Sequence, residues 1–506
     1  MMPSHILARP IIHRGVSATT RQSSAKKFAV VRRAIRRGSL SCLTLAALSG
    51  CLSLAPDYHR PDLPIANDFP TGEASTADSA ATLAWRSFYQ DPQMQALIVE
   101  ALTNNRDLQI AAQRVEEARA IFGIQRADQL PNFAVGASGA RARVPGELNI
   151  TGESQLQSEY QAGLNLAPWE LDFWGRVRSL KDVAKENFMA AESAQRAADL
   201  SLIAQVADAY LRLRELDGRL QLTRETVATR TESFRIFSQR VAVGATSRLD
   251  LVQVETLLRQ SELLQAQLEQ ARATQLNLLT LLVGNPLELS VSTTDLGVDA
   301  TADFPVGLSS EVLTQRPDIV ATEHQLKAAH ANIGAARAAF FPRVTLMGDF
   351  GSASPELGGL FDSGSRAWSF VPSLSLPIFE GGRNRSNLDL AEARRHIAVA
   401  QYEKTIQQAF REVADELAAR HWLDRQNRIL QAELAAQQER VKLAQMRYDN
   451  GAVPYLVVLD AQRDLLNVGQ QVIQTRRERI SSQLRLYNAL GGGSAVLVDT
   501  SAKTPD

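Results

Sequence analysis

Cysteine is almost missing from this chain: Cys42 and Cys51 are the only two in 506 residues. Cys42 falls inside a short apolar run that reads as part of a cleaved leader. A mature chain would keep Cys51 alone, which excludes a disulfide and any cysteine-ligated metal. Long hydrophobic runs are missing too. No stretch of ~18 apolar residues occurs, so no transmembrane helix is available, and if the chain crosses a bilayer it does so with strands. Nor is there a Gly-x-x-x-x-Gly-Lys-Ser/Thr loop, a His-Glu-x-x-His pair, a Cys-x-x-Cys or a Gly-x-Ser-x-Gly elbow. His324 and His330 sit six apart, with His396 and His421 distant, so no metal constellation is suggested. The chain nominates no nucleophile, ligand set or cofactor and reads as a non-enzyme.

Acids are absent from residues 1–50, which hold nine of the 55 Lys and Arg. The formal net charge of zero therefore hides an asymmetry, since the rest of the chain sets 46 basic side chains against 55 acidic ones. A surface that acidic makes nucleic acid an unsuitable partner. The basic segment VRRAIRRG (31–38) precedes the apolar run LSCLTLAALSG (40–50), the order of a secretory signal over 1–50. LSGC (48–51) matches the lipobox of bacterial lipoproteins, in which Cys51 becomes the lipidated first residue. The alternative is an ordinary signal with a chance cysteine. Leu52 follows rather than Asp, which implies outer-membrane sorting.

What the chain does have is one unit written twice. RVAVGATSRLDL (240–251) is echoed by RYDNGAVPYLVV (447–458), and DFWGRVRS (172–179) by FEGGRNRS (379–386), both at an offset of 207. LTNNRDL (102–108) pairs with LTQRPDI (313–319), and QRADQLPNF (125–133) with ARAAFFPRV (336–344), at an offset of 211. Such duplication points to two similar halves of one fold. An extended tether is expected over 51–84, a first repeat over 85–290, a second over 291–493 and a disordered tail over 494–506.

Within each repeat the patterning changes period. Asp91 and Pro92 give a helix start, with one helix over about 92–104 and another over about 107–128. Phe133, Val135, Ala137 and Gly139 alternate, as do Tyr160, Ala162, Leu164 and Leu166, predicting a β-hairpin over 131–169. The second repeat places its hairpin over 342–379. Long helical hairpins follow over 176–283 and 383–490. From Arg176 to Val243 there is no Pro and only Gly218 among glycines, so one helix of roughly 100 Å is allowed at ~1.5 Å per residue. Leu257, Leu264, Ala271 and Leu278 recur every seven residues, with Val254, Leu268 and Leu282 on a companion position that Ser261 and Gln275 interrupt. Leu459, Leu466, Ile473, Ile480 and Tyr487 repeat the spacing, which is coiled-coil periodicity. Gly244 and Gly451 supply the turns, because glycine ends a helix in the left-handed region without steric cost.

The fold class is mainly α with a small β part, four strands per chain. Open sheet edges are not tolerated in lipid, and four strands cannot close a barrel. Several copies must therefore share one: two would give eight strands with a side-chain-filled lumen, and three would give twelve with room for a channel. Trp169, Trp174 and Trp368 fit either membrane-interface anchors or packing at helix–strand junctions.

The duplicated helix–hairpin–helical hairpin unit, the lipobox, APDYHRPDLP (55–64), RPDI (316–319), AARAAFFP (335–342), LPIFEGGR (376–383) and YNALGGG (487–493) together resemble the TolC-like outer-membrane efflux channels. The likeness is greatest to their NodT/OprM-type lipoprotein branch and covers nearly all of the mature chain. It implies a homotrimer, with a twelve-stranded barrel in outer-membrane lipid continued by an α-helical barrel in the periplasm. It also implies docking through a periplasmic adaptor (membrane fusion protein) onto an inner-membrane pump of the resistance–nodulation–division (RND) type. Function would be passive export of small toxic compounds, drugs or solvents; the alternative is the outlet of a type I protein-secretion system. Gly244, Ala245, Gly451 and Ala452 would be the adaptor-contacting tips. Asp460 matches an acidic constriction position, with Leu456 one turn before it and Arg463 three residues after, able to pair with an acid on a neighbouring helix. Asp250 and Tyr448 occupy latch positions. Val453 stands where enterobacterial relatives carry Arg, so the latch must differ, with Arg248 or Arg463 as substitutes.

Overall fold

The computed structural model describes residues 54–69, 83–150, 152–291, 301–302 and 310–494. The leader, the lipobox with Cys51 and the tail from residue 495 lie outside them. In chain order the first repeat runs α1 (Trp85–Phe88), α2 (Pro92–Asn104), α3 (Arg106–Ala127), β1 (Phe133–Val144), β2 (Gln155–Leu171), α4 (Arg176–Ala242) and α5 (Arg248–Val283). The second has a 3-10 turn (Ser310–Gln315), then α6 (Pro317–Ala338), β3 (Arg343–Ser354), β4 (Arg366–Ser375), α7 (Arg383–Asp449) and α8 (Tyr455–Ala489). Both α4 and α7 are 67 residues long, each about 100 Å at the α-helical rise. No helix among the described residues is long and apolar enough to cross a membrane.

The four strands form one antiparallel sheet in the order β1-β2-β3-β4. Its register decides the faces, because residues paired across strands share a side and neighbours along a strand do not. Leu164 pairs with Phe350 and Phe350 with Trp368; Leu166 pairs with Gly348 and Gly348 with Phe370. Phe133, Val135 and Leu374 belong to that same face, and it is exposed: Val135 86%, Trp368 73%, Leu374 70%. The opposite face carries Gln161, Asn165, Asp349 and Ser369, with Ser369 Oγ donating to Asp349 at 2.8 Å. An apolar face turned outward and a polar face turned inward is the arrangement of a barrel wall in lipid. From Leu374 to Arg366 the strand climbs about 26 Å at ~3.3 Å per residue, the height of an outer-membrane apolar band. Between Leu166 and Trp169 the register slips, so Glu170 turns inward, where it pairs with Arg176 at 2.7 Å and Arg343 at 3.1 Å.

The ends of the sheet differ. The β-hairpin turns lie at one end, and all the helices leave from the other. Trp174 sits at the helix end, donating to the Pro342 carbonyl at 2.8 Å and stacking on Phe341, so its ring packs the junction. Trp368 is instead an exposed residue of the apolar face. β4 stops at Ser375, short of 379, because Pro377 has no N–H for the ladder.

The helices pack in layers. The largest core gathers α1 and α2, the middles of α4 and α7 and the ends of α5 and α8, with Phe88, Met94, Ile98, Leu211 and Tyr402 all at 0–1% exposure. Phe88 stacks on Tyr487 at 4.0 Å. Gly492 lies so close to the Tyr487 ring that a Cβ would come within 2.4 Å of it; any side chain there would expel the ring. Ser494, expected in the tail, is buried at 5%. Toward the far end a second cluster holds Phe237, Val254, Tyr455, Val458 and Leu459.

The described part of the tether is not free chain. The Arg60 guanidinium grips both oxygens of Glu323 on α6 at 2.6 and 3.2 Å, Tyr58 donates to the same carboxylate, and Phe69 stacks on Phe410 of α7. Proline-rich sequence without periodicity here means an extended strap whose side chains dock one by one. The heptad reading holds for Leu257, Leu264 and Ala271, which pack against the core clusters, and needs correction only at the end of α5. Leu278 is 44% exposed while Leu279 is fully buried, and Val254, Ser261 and Leu268, on the companion position, are the buried residues. A straight helix of 3.6 residues per turn drifts against a seven-residue repeat, so the seam migrates to the next position.

Candidate functional site at the hairpin tips

Both tips close alike. Gly244 and Gly451 have φ of 69° and 70°. The Ala245 N–H donates to the Arg240 carbonyl and the Ala452 N–H to the Arg447 carbonyl, each at 2.8 Å. These bonds satisfy the last carbonyls of α4 and α7 and require the left-handed residue that glycine provides. Gly244, Ala245, Gly451 and Ala452 are all exposed, as are Val243 (78%) and Leu249 (65%). The helices that start after the turns begin differently. Ser247 and Asp250 form a reciprocal capping box at the head of α5, whereas α8 begins after Pro454 with no side-chain cap.

That box occupies Asp250. Its carboxylate accepts from Thr246 Oγ1 at 2.9 Å and Ser247 Oγ at 2.7 Å, and those hydroxyls hold it below the usual carboxylate range. Tyr448 is engaged elsewhere, its hydroxyl accepting from Arg240 at 2.6 Å. The pair Asp250–Tyr448 is therefore not joined within the protomer. The residue that reaches Tyr448 is Arg240, from the end of α4. It ties the first helical hairpin to the second at the tip.

A chain of ions follows on α8. Arg463 pairs with Asp460 at 3.0 Å and Asp464 at 3.2 Å, and Asp464 takes a second guanidinium from Arg440 on α7 at 2.7 Å. The Arg440 and Arg463 bonds hold the Asp464 carboxyl below its ordinary range. Arg463 thus meets acids of its own helix, not of a neighbour: Asp460, three positions back, shares its face, and Asp464 is next to it in the chain. Leu456 is 42% exposed, and Asp460 is half-buried. Arg230 of α4 is buried at 4% and donates to the Leu257 carbonyl at 2.7 Å. Burial and the nearby Arg463 charge push its pKa down.

Sequence reasoning missed Arg240, Arg440 and Asp464. The signal for the last two was there: in an antiparallel helical hairpin, residues equally far from the turn face each other, and Arg440 and Asp464 flank Gly451–Ala452 almost evenly. His324 bonds Glu186 at 2.7 Å, and the described residues hold no cluster of three or more metal-ligating side chains.

A sheet with a lipid-facing side and two open edges, continued by paired helices about 100 Å long, defines the wall segment of a membrane channel. The chain belongs to the outer membrane efflux protein family, which it matches over residues 97–285 and 308–492, and it is an outer-membrane protein with the fold of that family's trimeric channels. It is 44% identical over 472 residues to the solvent efflux pump outer membrane protein SrpC of Pseudomonas putida, covering 90% of this chain and 98% of that one. It is likewise 44% identical over 458 residues to outer membrane protein OprJ of Pseudomonas aeruginosa, covering 90% and 95%. Among solved structures, the open state of the MtrE outer membrane channel of Neisseria gonorrhoeae superposes with a TM-score of 0.80 at 35% identity, covering 88% and 99%. The CmeC outer membrane channel of Campylobacter jejuni gives 0.83 at 28%, covering 90% and 99%.

Proposed function

We propose that three copies of this chain form the exit duct of a tripartite efflux system, carrying small toxic compounds such as drugs and solvents passively from an inner-membrane RND-type pump to the outside. The observation that carries the reading is the sheet: four strands with both edges unpaired and an apolar face about 26 Å tall must be completed by other copies. The helices extend that shared wall away from the membrane. The relatives named for solvent efflux supply the class of cargo.

At the far end, the tips around Gly244, Ala245, Gly451 and Ala452 meet a periplasmic adaptor. Threefold repetition makes Asp460 a carboxylate ring and Leu456 an apolar ring; the first selects by sign and the second resists wetting. Arg463, Asp464 and Arg440 hold the Asp460 segment against α7. Closure is latched by Arg240 on Tyr448, with Asp250 contributing by fixing the head of α5 through its capping box. Cys51 carries lipid. The Leu54 carbonyl, which accepts from Arg337 at 3.3 Å near the helix–strand junction, lies three residues on, within about 10 Å of chain.

Single-channel conductance in planar bilayers tests the gate. Asp460→Ala combined with Asp250→Ala should conduct more than the parent, and unchanged conductance would remove these residues from the gate. Crosslinking in cells followed by pull-down should recover an adaptor and an RND-type pump; recovery of neither defeats the tripartite reading.

A further inference from the structure

Three arginines stand on the outward face of the sheet at its hairpin end, beyond the apolar band. Arg141 and Arg143 alternate with Ala142 near the end of β1, in step with Val135 and Gly139; Arg366 opens β4, two residues before Trp368. All three are exposed. None is ion-paired among the described residues: Arg143 donates to Ser154 Oγ at 3.2 Å, and Arg366 lies over the Phe350 ring at 5.4 Å. The acids of the strands offer them nothing, because Glu159, Glu170 and Asp349 all belong to the opposite, inward face by register. A charge at this depth costs little, since it lies past the hydrocarbon, yet its aliphatic stem covers apolar surface.

Within one copy these residues are separated by the full width of the sheet, β1 and β4 being its two edges. Closing three sheets into one barrel sets β4 of each copy against β1 of the next. We propose that each seam of the barrel thereby builds a binding site for the phosphate of a membrane lipid headgroup in the outward-facing leaflet, from Arg366 of one copy and Arg141 and Arg143 of its neighbour. Planar guanidinium groups engage phosphate oxygens two at a time, and basic clusters at a membrane surface select anionic headgroups. Trp368 and Phe350, one outward-facing position below Arg366, and Val135, further down β1, receive the acyl chains of the same molecule. The occupant is a lipid rather than free phosphate, because the cationic rim and the apolar wall are continuous. This site rests on the trimeric reading given above, since no single copy contains it.

Native mass spectrometry of the detergent-solubilised full chain decides the matter, with diphosphoryl lipid A as probe beside its dephosphorylated form and phosphatidylcholine. The parent protein should appear as a trimer that retains the phosphorylated probe alone. The triple variant R141Q/R143Q/R366Q should remain trimeric and bind it roughly tenfold more weakly or worse, as expected on losing charge-assisted contacts. R366Q alone should weaken binding as well, because each site needs both sides of the seam. Inorganic phosphate at millimolar concentration should not displace the lipid. Equal retention by the triple variant, or equal binding of the dephosphorylated probe, overturns the site while leaving the channel intact. A protein that is monomeric throughout overturns the trimeric reading and the site with it.

Discussion

Arg316 donates through Nη1 to the carbonyl of Ala489 at 2.7 Å, tying the start of α6 to the end of α8. The first repeat contains the same bond made by a different residue: Asn105 Nδ2 donates to the carbonyl of Leu282 at 2.8 Å. Asn105 and Arg316 are related by the 211-residue offset, Leu282 and Ala489 by the 207-residue offset, and both donors occupy N-cap positions. The last carbonyls of a long helix have no intrahelical partners, so each repeat uses its short helix to satisfy one. Asn105 also caps its own helix through Oδ1, at 2.9 and 3.1 Å from the Asp107 and Leu108 N–H groups. Asn105→Ala removes all three bonds and should destabilise the protein by about 1–3 kcal/mol. Thermal unfolding in detergent would measure it; an unchanged midpoint would mean the end of α5 is held by packing alone.

Glu215 is the most enclosed charge joining the two repeats. At 0% exposure it meets Arg212 at 2.6 Å, Arg219 at 3.2 Å and, from α8, Arg477 at 3.1 Å. Gln470 extends the link, accepting from Arg219 and donating to Thr223. Removing one member leaves the rest buried without compensation, a cost of about 3–5 kcal/mol. Glu215→Ala should therefore unfold far below the parent, and Glu215→Ala/Arg477→Met should recover part of the loss. Additive losses in that double-mutant cycle would show that the two side chains do not act together.

The duplication, the four strands and the long helical hairpins were legible in the sequence because each has a period: an offset, an alternation, a heptad. The tip glycines were legible because the left-handed region selects for them. Partner choice was not. Asp250 looked like a latch and serves its own capping box with Ser247, a pattern visible only once the helix start is fixed at Arg248. Arg463 looked free to reach another helix, but Asp460 and Asp464 stand nearer. Long charged side chains choose among several acids within ångströms, and sequence spacing does not resolve that choice. The strap at 54–69 was hidden for the opposite reason: its contacts with Glu323 and Phe410 are far away in the chain and leave no periodic trace.

The Arg440–Asp464 bond should act on the gate. Because the Asp464 carboxyl is held below its ordinary range, its pairing persists at neutral and mildly acidic pH and is lost only as pH falls through that lowered value. The contribution of this bond to closure should stay constant from neutrality down through the usual carboxylate range. Arg440→Ala should conduct more at every pH in that window, by releasing α8 from α7. A variant that conducts like the parent would assign the bond to hairpin stability alone.

Asp199 carries the opposite shift. It lies on α4 beside buried Leu200, where burial raises its carboxyl to about 6 against a usual 3.8, and Arg196 only partly offsets the effect. In the unfolded chain the group ionises near its usual value, so between the two values the folded state binds more protons and stability falls as pH rises. Below the usual value Asp199 is protonated in both states and costs nothing; above about 6 the cost of its half-buried charge is present. Asp199→Asn keeps the shape and removes the charge. The variant should unfold at a higher temperature than the parent at neutral pH, and the difference should shrink to nothing as pH falls to the ordinary carboxylate value. Calorimetric scans of both proteins across that range measure it. A constant difference at all pH values would mean that packing of the amide, not relief of a buried charge, is responsible.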